Sequence, residues 1–127
     1  DFEIYHREQR RGSYIFTLAS ASVSIFIMWL FAAPILIITL MVAVVFQTSI
    51  MFAINSRWKI SAHASSMALF VTLLIFLFGR VLLPVGAGIP LMVWSRVSLR
   101  RHTLMQTIAG SLLGIAILSV CLLFINY

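Results

Sequence analysis

Long apolar runs separated by short polar ones set the pattern of this chain. From Tyr14 to Phe31 every position is apolar or a small Ser, Ala or Thr. Pro34 marks a tight turn, and a second run covers Ile35 to Ile54. Each is near the ~20 residues that a helix needs to cross a bilayer. Asn55-Ser-Arg-Trp-Lys-Ile-Ser-Ala-His63 is a polar interruption, followed by a third run from Ala64 to Phe78. Gly79-Arg80 breaks that run. Val81 to Val93 then makes a short fourth run, loosened by Pro84, Gly86, Gly88 and Pro90. Such residues are tolerated in membrane helices where neighbours satisfy the freed backbone groups. The fifth run, Leu104 to Ile125, is the cleanest. The pattern predicts an all-α polytopic membrane bundle of about five transmembrane helices, at 14–31, 35–54, 64–78, 81–93 and 104–125. An interfacial segment, 1–13, precedes them in a single membrane-embedded domain.

Composition agrees and narrows the choice. At 127 residues with 62% hydrophobic content, and a mean hydropathy of +1.10, a soluble globule could not cover its surface with polar groups. Nine basic residues face three acidic ones, a net charge of +6. No basic helix face or aromatic-interleaved groove supports nucleic-acid binding. The excess suits anionic lipid headgroups or a phosphorylated lipid. Cys121 lies deep in the last apolar run and, being alone, forms no internal disulfide. Arg7, Arg10 and Arg11 before an apolar run resemble a signal peptide's start. The run itself exceeds the usual ~7–15 residues, which favours a retained span. Gly110 and Gly114 form a GxxxG pattern that permits close helix approach, within the bundle or in a homodimer.

Charge placement changes the picture further. With five spans, the polar stretches holding His6, His63 and His102 fall on one face, together with every basic residue except Arg80. The positive-inside rule would put that face in the cytoplasm. The same residues could instead form an anion site, and counting alone does not separate the two.

The stretch Trp94-Ser-Arg-Val-Ser-Leu-Arg-Arg-His102 carries the candidate chemistry. His102 opens the fifth run as His63 opens the third. Helix N-termini offer free N–H groups and a positive dipole end to a phosphate, and arginines add bidentate charge-assisted bonds. Trp58 and Trp94 suit an interfacial aromatic belt, and Arg80, Arg100 and Arg101 suit anchors.

Ser95-Arg96, five residues, then His102 resembles the third signature of the type 2 phosphatidic acid phosphatase superfamily, Ser-Arg, five residues, His, three residues, Asp. Ile60-Ser61-Ala62-His63 is similar to the second, Pro-Ser-Gly-His. The Arg7–Arg11 cluster sits where the first belongs, matching only as a basic cluster. The likeness runs from Arg7 to the fifth span and is similar in shape to divergent bacterial members, in which further helices usually precede the first signature. Such preceding helices would explain a sequence that opens on Asp1 rather than Met. Three positions depart from it: Ile60, Ala62 and Gln106 stand where the family has Pro, Gly and Asp.

The resemblance implies a metal-independent phosphatase, with no cofactor, acting on a lipid phosphate or isoprenoid diphosphate in a bacterial inner membrane. His102 would be the nucleophile, passing through a phosphohistidine, and His63 the general acid. Arg96, Ser61, Lys59 and one or more of Arg7, Arg10 and Arg11 would hold the phosphoryl oxygens. Two roles are open to Gln106, and different atoms could serve both: orienting His102, and closing the capping box that Thr103-Leu-Met-Gln106 spells at a helix start. A catalytically silent lipid-binding relative and a small transporter subunit are the rival classes.

Overall fold

The computed structural model describes residues 2–125, with side chains from Gln9 onward. Among the described residues the protein is helical, with no strand. Its elements are α1 (Phe2–Leu30), α2 (Ile35–Asn55), α3 (Ala62–Phe78), a 3₁₀ segment (Gly79–Ala87), α4 (Gly88–Ser98) and α5 (Leu104–Ile125). Four stretches are long and apolar enough to cross a membrane: Gln9–Leu30, Ile35–Asn55, Ala62–Ser98 and Leu104–Ile125. The chain is therefore an integral membrane protein by its helices as well as by its composition.

The helices pack as two compact units. One holds the chain up to Trp58 together with the last turn of α5, and the other holds Lys59–Val120. In the first unit α1 and α2 form a hairpin. α1 ends with Ala32 N–H donating to the Trp29 carbonyl (3.2 Å) and Ala33 N–H to the Met28 carbonyl (2.9 Å). This Schellman pattern demands a left-handed residue, and Ala32 takes it at φ 53°. Pro34 then opens α2. Tyr14 meets Phe52 edge-on at 6.2 Å, and Arg10 Nε donates to Asn55 Oδ1 at 2.9 Å.

In the second unit α3 is the central element. α4 runs back along it: a Cβ on Gly88 would lie 3.5 Å from Met67 Sδ and 3.9 Å from Val71 Cγ2. α5 approaches α3 more closely still. A Cβ on Gly110 would run into the Ser61 carbonyl oxygen, and one on Gly114 into that of Ser65, with Leu69 N at 3.0 Å. The GxxxG pattern thus packs helices within the unit, as a glycine stripe allows when no side chain holds the backbones apart.

Ser61, Ser65 and Thr107 are fully buried, while Phe70, Val81 and Leu112 are more than half exposed. Small and polar residues share the interior with Leu118, Val71 and Leu69, while many large apolar side chains face outward. An apolar exterior and small residues between helices are expected where lipid, not water, covers the surface.

The boundaries differ from the sequence expectation in three places. α1 reaches back to Phe2 and its apolar span to Gln9, so the segment expected as an interfacial approach, 1–13, is helical from Phe2 onward. α3 starts at Ala62, because the Ser61 hydroxyl accepts from Ala64 N–H at 3.2 Å and caps it, so His63 lies inside the first turn. Residues 81–93 are not one helix: Pro84 lacks an N–H to donate, the chain stays 3₁₀ through Ala87, and α4 continues to Ser98. The expected third and fourth spans accordingly fall in one 37-residue apolar stretch.

Candidate functional site

The start of α3, the end of α4 and the start of α5 meet at one end of the second unit, and backbone bonds lock them. Ser61 N–H donates to the Gln106 carbonyl at 3.4 Å. α4 closes with Arg100 N–H on the Val97 carbonyl (3.0 Å) and Arg101 N–H on the Arg96 carbonyl (3.1 Å). Arg100 takes the left-handed position at φ 55°, where glycine is the favoured residue. His102 N–H reaches the same Arg96 carbonyl at 3.4 Å, which ties the His102 backbone to Arg96.

α5 opens with a completed capping box. Gln106 Oε1 accepts from Thr103 N–H at 3.0 Å, and Thr103 Oγ1 accepts from Gln106 N–H at 3.2 Å. Two further bonds cross from the α2–α3 connection to this turn. Lys59 Nζ donates to the Arg101 carbonyl at 2.7 Å, and the Lys59 carbonyl lies 3.3 Å from His102 Nδ1.

The charges converge as well. His63 is exposed on the first turn of α3, and the Arg96 guanidinium acts on both His63 and His102. Arg96 is half-buried, and its Nε is shielded from solvent without a hydrogen-bond partner. A buried guanidinium N–H with no acceptor is a costly arrangement that an anion would relieve. Burial holds the His102 imidazole below its ordinary value, and the Lys59 and Arg96 charges add to the effect. The Lys59 carbonyl and the Gln106 side chain oppose it. A cleft of about 420 Å³ opens beside this cluster between α3 and α4, lined by Ala62, His63, Ser66, Met67, Phe70 and Met92.

Six of the residues singled out in the sequence therefore come together: His63, His102, Arg96, Gln106, Ser61 and Lys59. Their uses are not all those expected. Ser61 is fully buried, and its hydroxyl acts on the helix start rather than on open space. Gln106 makes the capping box, and its side chain also bonds His102. Lys59 reaches a carbonyl of the turn. Arg10 belongs to the first unit, where Asn55 takes its Nε, and Arg11 is exposed on α1. The side chains of His6 and Arg7 lie outside the described residues. Arg100 and Arg101 are exposed, as anchors would be.

Sequence reasoning missed the Lys59 carbonyl, since a main-chain group leaves no trace in residue type. It missed Asn55 too, although a lone amide ending an apolar run was a signal. Among the described residues no three His, Cys, Asp or Glu side chains group as a metal-holding set. No family model, curated protein or solved structure matches the chain.

Proposed function

We propose that this protein is a membrane phosphatase that hydrolyses a lipid phosphate or isoprenoid diphosphate without a metal, in the manner of the type 2 phosphatidic acid phosphatase superfamily it resembles. The observation that carries the reading is Arg96, near both imidazoles with a buried Nε lacking any acceptor. A phosphoryl oxygen supplies that acceptor.

In the first step a ring nitrogen of neutral His102 attacks phosphorus as the bond to the lipid oxygen breaks. Protonated His63 gives its proton to the departing alkoxide. Arg96 holds charge on the phosphoryl oxygens throughout. Water then attacks phosphorus, the N–P bond breaks, and His63 takes the water's proton. Inorganic phosphate leaves and both histidines return to their starting forms. The lowered proton affinity of His102 favours the neutral nucleophile near neutral pH.

The cleft between α3 and α4 begins at His63 and continues past Met67, Phe70 and Met92, which suits an apolar tail attached to a headgroup at the imidazole. With the 3₁₀ segment and α4 read as a return crossing, the chain crosses five times. Together they rise about 34 Å at ~2.0 and ~1.5 Å per residue, enough for a hydrocarbon core of ~30 Å.

Phosphate release from a panel of lipid phosphates, with wild type and His102→Ala in liposomes, tests the proposal. The wild type releases phosphate and yields an acid-labile phosphoenzyme, whereas His102→Ala does neither. Full activity in His102→Ala would refute the nucleophile. A second reading, a catalytically silent relative that binds phospholipid, is favoured by Gln106, whose Oε1 caps α5 and which cannot supply a carboxylate. Phosphate-lipid binding without turnover would establish it.

A further inference from the structure

We infer that the main-chain carbonyl of Lys59 orients the nucleophile: it holds His102 in the Nδ1–H tautomer and leaves Nε2 as the attacking atom. The inference rests on the phosphatase reading for its functional meaning, but its structural content stands alone.

A carbonyl oxygen only accepts, so the contact between Lys59 O and His102 Nδ1 (3.3 Å) requires the proton on Nδ1. Nε2 then carries the free lone pair. In a neutral imidazole the partner of one nitrogen decides what the other can do. Gln106, one turn along α5, also meets His102 through its side chain, while its Oε1 accepts from Thr103 N–H at 3.0 Å. The Lys59 carbonyl is the contact that falls on Nδ1.

The carbonyl is held in place from two sides. Toward the N-terminus of α5, the Lys59 ammonium donates to the Arg101 carbonyl at 2.7 Å. This bond crosses the same gap as the His102 contact, and Arg101 directly precedes the histidine. Toward α3, two residues on, Ser61 N–H donates to the Gln106 carbonyl at 3.4 Å, while the Ser61 hydroxyl caps the helix. Behind these, Gly110 presses directly on the Ser61 carbonyl, so no side chain separates the two segments. Lys59 is thus a positioning residue. Its peptide oxygen fixes the ring and its ammonium fixes the peptide. The nucleophile needs no carboxylate to choose a tautomer, which suits a chain with no Asp or Glu beyond Glu8.

The test is nitrogen-15 NMR of the full chain in phosphatidylcholine nanodiscs, with labelled histidine and His102 assigned by the His102→Gln spectrum. At a pH where the ring is neutral, the expected signals place the proton on Nδ1. Lys59→Met removes the tie to Arg101 and the nearby charge. Its expected effects are a mixture of tautomers, an acid limb of the kcat profile moved to higher pH, and kcat lowered about tenfold to a hundredfold, the usual loss when a histidine's orienting partner is disturbed. KM should change little, and Lys59→Arg should restore most of kcat. A dominant Nε2–H tautomer in the wild type overturns the inference. So does a Lys59→Met protein that folds with its tautomer and pH profile unchanged, or one whose loss lies entirely in KM. Should Lys59→Met fail to fold, the wild-type tautomer and the Lys59→Arg profile still decide. Absence of phosphate release from every lipid would sink the phosphatase reading while leaving the tautomer result to judge the carbonyl.

Discussion

Replacing Gly110 with alanine tests how the site is held together. The added Cβ would overlap the Ser61 carbonyl oxygen and stand 3.4 Å from Ser61 C and 3.5 Å from Ser65 N. Those are backbone atoms that cannot swing aside, so α5 must retreat from α3 by on the order of 1 Å to recover ordinary contact. Overpacking of this kind costs about 1–3 kcal/mol. Alanine returns roughly 1 kcal/mol through its better helix propensity, leaving a net loss of about 0–2 kcal/mol.

The functional loss is larger than the stability loss. The His102 Nδ1 contact at 3.3 Å and the Ser61 N–H bond at 3.4 Å already lie near the limit of hydrogen bonding. A further ångström breaks both, and a displacement of that size lowers the rate by roughly 10²-fold. Phosphate release from a lipid phosphate, paired with thermal unfolding in detergent, measures the two effects. Gly86→Ala is the control, since nothing lies within 4 Å of its Cβ position, and it should fall within about ±0.5 kcal/mol of wild type. A Gly110→Ala protein with wild-type rate and an unchanged His102 spectrum would refute the reasoning. Equal damage from Gly86→Ala would refute it as well.

Three further outcomes are expected. Arg100→Gly should stabilise the protein by about 0.5–1 kcal/mol in thermal unfolding, because glycine relieves a left-handed φ of 55° at some gain in unfolded-chain entropy; destabilisation would mean that the Arg100 side chain holds the turn. Asn55→Ala should cost about 1–3 kcal/mol, because Arg10 Nε loses its acceptor at a part-buried site, whereas Arg11→Ala, exposed on α1, should cost little in the same assay. The folded chain binds a proton at His102 less readily than the unfolded chain. Stability should therefore fall as pH drops below the ordinary histidine value of 6.5. His102→Gln should lose less over that window, and an identical slope would contradict the direction of the shift.

Membrane character, helical class and most of the helix boundaries were legible in the apolar runs, because a bilayer-crossing helix must be both long and apolar whatever surrounds it. Thr103-Leu-Met-Gln106 was legible as a helix start, since capping is a local interaction between residues three apart. The same locality explains the failure at 81–93. Pro84 and the neighbouring glycines forbid regular helix without saying where it resumes, and packing against Met67 and Val71 accompanies its return at Gly88.

The sequence by itself marked the residues on which the proposed chemistry rests: two histidines at two helix starts and an arginine six residues before the second. Side-chain type alone says that an imidazole can attack or donate a proton and that a guanidinium can hold an anion. Only the tertiary structure decided how they are used. It brought Arg96 near both rings by running α4 back along α3. It set Gln106 in the cap of α5 with its side chain also on His102, and it set the Lys59 carbonyl against His102. The physical reason is that a backbone carbonyl is the same group in every residue. Which ring it meets depends on how closely two helices approach, and here Gly110 and Gly114 set that distance.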